Sequence, residues 1–306
     1  MADRESRVTA IRQTTLPLAT GVTLNVALAG NPAHPPIILL HGFPESHRTW
    51  RHQIPALAER YFVIAPDQRG YAGSSKPDGV EAYAADKIAA DLFALADALD
   101  IDRFTLVGHD WGGAIAWMAA LREPKRVVRL AILNAPHPQV FQRKLFDDAG
   151  QRRASQYMRF FRETELDRAP DKTGLEQFLL SLFGEHLQVT VTPEEKAIYL
   201  NQWSQPGALT AMLNWYRATQ IVVPAVDEDP PRPGWIDGPF PLQPQPTLVI
   251  WGMRDRGLLP CLLDGLETLI PDYTLAPIRD AGHFVPWEQP DEVTATLLEW
   301  LEKRPV

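Results

Sequence analysis

The sequence predicts an α/β fold, a doubly wound and mostly parallel sheet with a helical segment inserted into it. Three observations carry that expectation. Short apolar runs recur without polar alternation, a helix-spaced stretch separates two of them, and the alternation then stops and returns near the carboxyl end. The runs fall at residues 37–40, 62–65, 104–107 and 130–133. Strands covered on both faces read as continuous hydrocarbon, so these four are expected as central parallel strands. Between the second and third, residues 84–99 carry Ile88, Leu92, Leu95 and Leu99 at helical spacing, as a crossover between parallel neighbours requires. From His137 to about Val223 no parallel strand is evident, and 157–161, 177–183 and 209–217 are candidate helical segments. Strand character returns at 247–251 and 273–278. A last helix follows, with Val293, Leu297 and Leu301 four apart behind the start signals Pro290 and Asp291. One core is therefore expected from residues 1–136 and 244–306, interrupted by a cap at 137–243 that covers the strand ends.

Bulk properties bound the function. The 306 residues are 45% hydrophobic and 22% charged, proportions of a globular chain. A net charge of −8 without any Lys/Arg run argues against nucleic acid. The start, with Arg4, Arg7 and Arg12, lacks a signal peptide's apolar stretch, and no later run approaches a membrane span. Cys261 is the only cysteine, so no intramolecular disulfide forms and a reducing cytoplasm is the expected location. Many of the 28 prolines crowd residues 224–246, which read as a linker.

The chemistry begins after the third run. Gly108-His109-Asp110-Trp111-Gly112-Gly113 passes from strand into helix, the form of a nucleophile elbow in which glycines let a central side chain stand above the sheet. The central residue is Asp110. Taken alone, that hexapeptide equally describes a helix cap. An elbow nucleophile also needs a base to activate water and an acid to orient the base, in the chain order nucleophile, acid, histidine. Asp255 follows the strand ending Ile250-Trp251-Gly252, and His283 lies between the last strand and the last helix. Asp280 is a weaker candidate acid, since it would have to fold back from the same loop. His41-Gly42-Phe43-Pro44 follows the first run, and a turn there can aim the Phe43 amide with that of Trp111 as an oxyanion hole. His41, Phe43 and Trp111 are expected around the substrate pocket, His41 more as turn architecture than as catalyst. His109, His137 and His186 show no partner pattern. No spacing suggests a metal and no Gly-rich phosphate loop suggests a nucleotide, so no cofactor is expected.

A carboxylate nucleophile narrows the reaction. Serine attacking saturated carbon would leave an ether that activated water cannot readily cleave. Aspartate leaves an ester, whose carbonyl water can attack to free the alcohol and restore the enzyme. The electrophile is then an sp3 carbon losing either an epoxide oxygen or a halide.

With these residues in view, the chain resembles the α/β-hydrolase superfamily and, within it, the soluble epoxide hydrolases. The likeness spans nearly the whole length. It rests on His41 to Pro44, Asp67-Gln68-Arg69-Gly70-Tyr71, Gly108 to Gly113, Asn134-Ala135-Pro136-His137-Pro138 and Gly282-His283. The resemblance implies the α/β-hydrolase fold. It also implies that Tyr157 and Tyr216 are the cap phenols that grip and protonate the epoxide oxygen. A phenol stays protonated at neutral pH and can donate to a forming alkoxide. The elbow is shared with haloalkane and haloacid (fluoroacetate-type) dehalogenases, which form the alternative. Some of those carry Asn as a halide ligand where this chain has Phe43, although the Trp111 indole could still donate to a halide. A catalytically inactive ligand-binding protein of the same fold is the third reading. The expected partners are a small-molecule epoxide and water, with no nucleic acid or membrane, and the chain itself a monomer or homodimer.

Overall fold

The computed structural model describes residues 10–169 and 173–305. The charged start that carries Arg4 and Arg7 lies outside the described residues. Eight strands form one sheet: β1 Arg12–Pro17, β2 Thr23–Ala29, β3 Pro36–Leu40, β4 Phe62–Pro66, β5 Phe104–His109, β6 Val127–Leu133, β7 Thr247–Gly252 and β8 Tyr273–Ile278. Their spatial order is β1-β2-β4-β3-β5-β6-β7-β8. Neighbours from β4 to β8 are parallel, while β1 and β2 add an antiparallel edge. All six expected strands are present. Two strands were not anticipated: β1 at the edge exposes Arg12, Gln13, Thr15 and Pro17, whereas β2 beside it carries the buried run Val26-Ala27-Leu28-Ala29, which the sequence reading passed over.

The central strands are hydrocarbon on both sides because both sides are covered. Along β3, Ile37 and Leu39 join one buried cluster while Ile38 and Leu40 join the other, as the two-residue period of a strand demands. Each fully buried aliphatic of this kind contributes roughly 1.5–3 kcal/mol. Helices α1 Gln53–Ala58, α2 Ala85–Ala98 and α3 Trp111–Arg122 lie among the first strands. Ile88, Leu92 and Leu95 of α2 pack in one cluster, and Ile54 and Leu57 of α1 pack in the other.

Between β6 and β7 the chain makes α4 Pro138–Asp147, α5 Ala149–Ala154, α6 Gln156–Glu163, α7 Thr173–His186, α8 Pro193–Trp203 and α9 Ala208–Ala218. Short α10 Val285–Glu288 and α11 Pro290–Glu302 follow β8, and Val293, Leu297 and Leu301 of α11 are buried in the same cluster as α1. Two indoles join the inserted helices to core loops: Trp203 Nε1 donates to the Pro44 carbonyl at 2.8 Å and Trp215 Nε1 to that of Arg69 at 3.0 Å.

The proline-rich return carries no helix or strand, as its composition dictates, but it is not a loose linker. Ile236 is fully buried, and Gln139 Nε2 of α4 donates to the Ile236 and Gly238 carbonyls at 3.1 and 2.9 Å. Arg232 pairs with Asp147 and Asp237. Among the described residues, no helix is long and apolar enough to cross a membrane.

Candidate active site

Because β3 to β8 run parallel, their carboxyl ends share one edge, and the chain turns back there as Phe43, Asp110, Asn134, Asp255 and His283. Strand order reverses between β3 and β5, which opens a crevice at that point. Asp110 is the single residue between β5 and α3. Its backbone has φ 51° and ψ −122°, a conformation that L residues rarely adopt, so the chain holds it there at a cost of order 1–3 kcal/mol. Its side chain does not cap α3. Instead Oδ1 accepts the Phe43 N–H at 2.8 Å and Oδ2 lies 3.5 Å from His283 Nε2. The Phe43–Pro44 peptide bond is cis. Two glycines make this approach feasible: a Cβ at Gly42 would fall 2.5 Å from Asp110 Oδ1, and one at Gly112 would fall 2.5 Å from the His41 carbonyl oxygen. Trp111 begins α3, where helix geometry leaves the first N–H groups without intrahelical acceptors.

The histidine is oriented from behind. Its Nδ1–H donates to Asp255 Oδ2 at 2.7 Å, which leaves Nε2 facing Asp110. Asp255 is itself fixed at both oxygens. Oδ1 accepts the Gly257 and Leu258 amides at 2.9 Å each, and Oδ2 accepts Asn134 Nδ2 at 2.8 Å. Asn134, with φ 38°, also accepts the Gly252 N–H at 2.8 Å, so one amide side chain ties the end of β6 to that of β7. Burial by itself would lower the His283 pKa, but Asp255 and Asp110 flank the ring and drive it well above its usual value. Burial would raise both carboxylic acids, yet the His283 hydrogen bonds and charge hold each below the ordinary range. The resting site is thus a carboxylate, an imidazolium and a second carboxylate.

Asp280 stands apart. It pairs with Arg254 on the surface, the same arginine that could have claimed Asp255. His41 is also placed differently from the sequence expectation. It is fully buried beneath the turn instead of lining the cavity, with Nε2 accepting the Gln68 N–H at 3.0 Å and Nδ1 2.9 Å from the Gly42 carbonyl. It is part of the floor.

Three residues without a role in the sequence reading acquire one here. His109 Nε2 donates to the His283 carbonyl at 2.8 Å and so steadies His283 from its backbone. Its Nδ1 lies 3.6 Å from Glu45 Oε2, and neither atom has a hydrogen-bond partner. Burial lowers His109 to about 4 and raises Glu45 to about 7, so the two meet without a full ion pair. The signal was present in the two motifs that flank the crevice, but nothing in the sequence joined them. His186 is the third, on a cavity wall beside His283.

Asp110 opens onto two adjoining cavities. Tyr157 of α6 and Tyr216 of α9 line both, with ring centroids 6.1 Å apart at 82°. Tyr216 packs against Phe43 and Trp111, each at 5.1 Å, and against Phe161 at 4.8 Å. Burial and the Asp110 charge raise both phenols, so both keep their protons at neutral pH. Among the described residues, no group of three His, Cys, Asp or Glu side chains could hold a metal ion.

Residues 35–290 match the family described as alpha/beta hydrolase fold. The chain is 36% identical over 286 residues to the AB hydrolase superfamily protein YfhM of Bacillus subtilis (strain 168), covering 93% of this chain and 96% of that one. It is 35% identical over 320 residues to epoxide hydrolase A of Mycobacterium tuberculosis, covering 92% and 94%. Among solved structures, an epoxide hydrolase from hot-environment metagenomes superposes with a TM-score of 0.86 at 45% identity, over 95% of this chain and 98% of that chain. An inhibitor complex of the Bacillus megaterium epoxide hydrolase does so with a TM-score of 0.80 at 29% identity, over 94% and 100%.

Proposed function

The chain belongs to the α/β-hydrolase fold family and is a hydrolase, and from that premise we propose that it converts an epoxide to a vicinal diol through an ester on Asp110. The observation that carries this reading is the pairing of two protonated cap phenols with a carboxylate across one cavity. That pairing suits a leaving group that stays attached as an alkoxide and needs a proton. The strong likeness to proteins named as epoxide hydrolases supports it.

Asp110 Oδ2 forms the bond to an epoxide carbon as the C–O bond of the ring breaks, and Tyr157 or Tyr216 gives its proton to the departing oxygen. Oδ1, already on the Phe43 amide, becomes the ester carbonyl. Alkylation removes the negative charge of Asp110 and with it part of what held the proton on His283. The imidazolium passes that proton to the phenolate left by ring opening, and the neutral imidazole then takes a proton from water, with Asp255 stabilising the cation that forms. Hydroxide adds to the ester carbonyl and the Phe43 and Trp111 amides take up the oxyanion; collapse expels the alkoxide, which takes the proton from His283 and leaves as the diol, and the Asp110 acid returns its own proton to the imidazole. We take residues 137–243 as the cap that supplies the phenols and excludes bulk solvent.

A single turnover with excess enzyme in heavy-oxygen water tests the pathway. The first diol carries oxygen from Asp110, and the solvent isotope stays on the protein. Solvent oxygen in the first diol would sink the ester. Halide release from haloalkanes, with no diol from any epoxide, would transfer the assignment to a dehalogenase.

A further inference from the structure

The reacting groups stand at a junction, and the two spaces they divide differ in chemistry. Asp110, Tyr157, Tyr216 and Leu258 line both cavities. Beyond them the first is walled by carbon, including Pro138, Phe141, Met158 and Ile221. The second has Phe161, Leu182 and Phe284, and among them the imidazole of His186. His186 is the last residue of α7, and neither of its ring nitrogens has a hydrogen-bond partner among the described residues. It is close to the chemistry. The point a Cβ would occupy at Gly257 lies 3.7 Å from Tyr157 Cε1, 3.7 Å from Asp255 Oδ1 and 4.0 Å from His186 Cε1, so phenol and imidazole share one stretch of wall where glycine leaves room. Burial, together with the nearby His283, lowers the His186 pKa, so the ring stays neutral and offers one N–H and one lone pair.

Resting on the epoxide hydrolase reading, we propose that His186 is a specificity-determining residue that receives a hydroxyl or carbonyl oxygen carried on one substituent of the epoxide, while a hydrocarbon substituent fills the other cavity. The preferred substrate is then an internal epoxide with two unlike arms. A polar group built into an otherwise apolar wall discriminates strongly against a substituent that leaves it unpaired. A terminal epoxide, which has a single arm, leaves one cavity unused.

The test uses two internal epoxides matched in length, identical on one arm and ending on the other in either a ketone or the corresponding methylene. Diol formation from each gives kcat/KM for the wild type, His186→Leu and His186→Gln. The wild type is expected to favour the ketone by about 10- to 100-fold. The Leu variant should lose that preference and turn over the hydrocarbon epoxide at least as well as the wild type. The Gln variant, which keeps a donor and an acceptor, should retain most of it. A ratio that stays within about twofold of the wild type in His186→Leu, or that collapses equally in both variants, overturns the proposal. Diols from both epoxides with no preference in the wild type overturn it alone, whereas diol from neither overturns the epoxide hydrolase reading and this proposal with it.

Discussion

On the core side of the cavity each reacting group is fixed by hydrogen bonds, whereas on the cap side the phenols are fixed by the rings around them. Asp255 has amide partners on both oxygens, His283 is gripped at Nδ1 and at its carbonyl, and Asp110 is gripped at Oδ1. Among the described residues, neither Tyr157 nor Tyr216 donates to a protein acceptor, and Phe43 and Trp111 hold Tyr216 by edge contacts and Phe161 by a tilted one. The arrangement suits the proposed roles: the core supplies charge in fixed directions, while both phenols keep a proton free to donate, the Trp111 indole bonding only the Tyr216 oxygen.

The largest test of that contrast removes the base and leaves its network in place. His283→Gln should allow Asp110 to open the epoxide but not to be freed, lowering steady-state turnover by roughly 10^3-fold or more. Intact-protein mass should show the enzyme plus one substrate, and a variant that turns over normally without an adduct would break the core half of the comparison. Next come the phenols. Tyr157→Phe and Tyr216→Phe each keep the ring packing and lose a proton, so each should lower kcat about 10- to 100-fold, and the pair together about 10^3-fold. Thermal unfolding should hardly move. A large drop in melting temperature for these variants would mean that the hydroxyls are structural after all.

The last test reads stability in acid and leaves turnover aside. Burial pushes His41, His109 and His137 down to about 4 in the folded protein, against 6.5 unfolded. Between those values the unfolded chain binds more protons than the native one, so stability is fully present above about pH 6.5 and is lost as the pH falls towards 4. Each group contributes on the order of 3 kcal/mol to that loss. His137 is the sharpest probe. Both its nitrogens lack partners, and its ring sits between Trp117 and Phe240 at 5.2 and 5.0 Å. His137→Phe should shrink the loss of stability between pH 7 and 4.5 measured by denaturant unfolding. An unchanged pH dependence would show that this ring is already charged or solvated.

What could be read from the chain differs between these halves for a physical reason. A parallel strand buried on both faces leaves a run of hydrocarbon, so β3 to β7 were legible, whereas the exposed β1 was not. Asp110, Asp255 and His283 follow strand ends, and parallel order alone sets them on one edge. The distances among them depend on glycine clearances and on Asn134, whose sequence neighbourhood announces a turn and nothing more. The helical character of 137–223 was legible but the separate bounds of α4, α5 and α8 were not, and residues such as Glu45, His109 and His186 gain their meaning from contacts across the crevice. His41 serves the turn, as its motif suggested, but from beneath it and not from the cavity wall.

The bonds from Trp203 to Pro44 and from Trp215 to Arg69 bear on traffic. An outward swing of the inserted helices would have to break both indole ties at once and wet the aromatic seam beneath them. While those knots hold, whatever reaches Asp110 does so through the two chambers it opens onto.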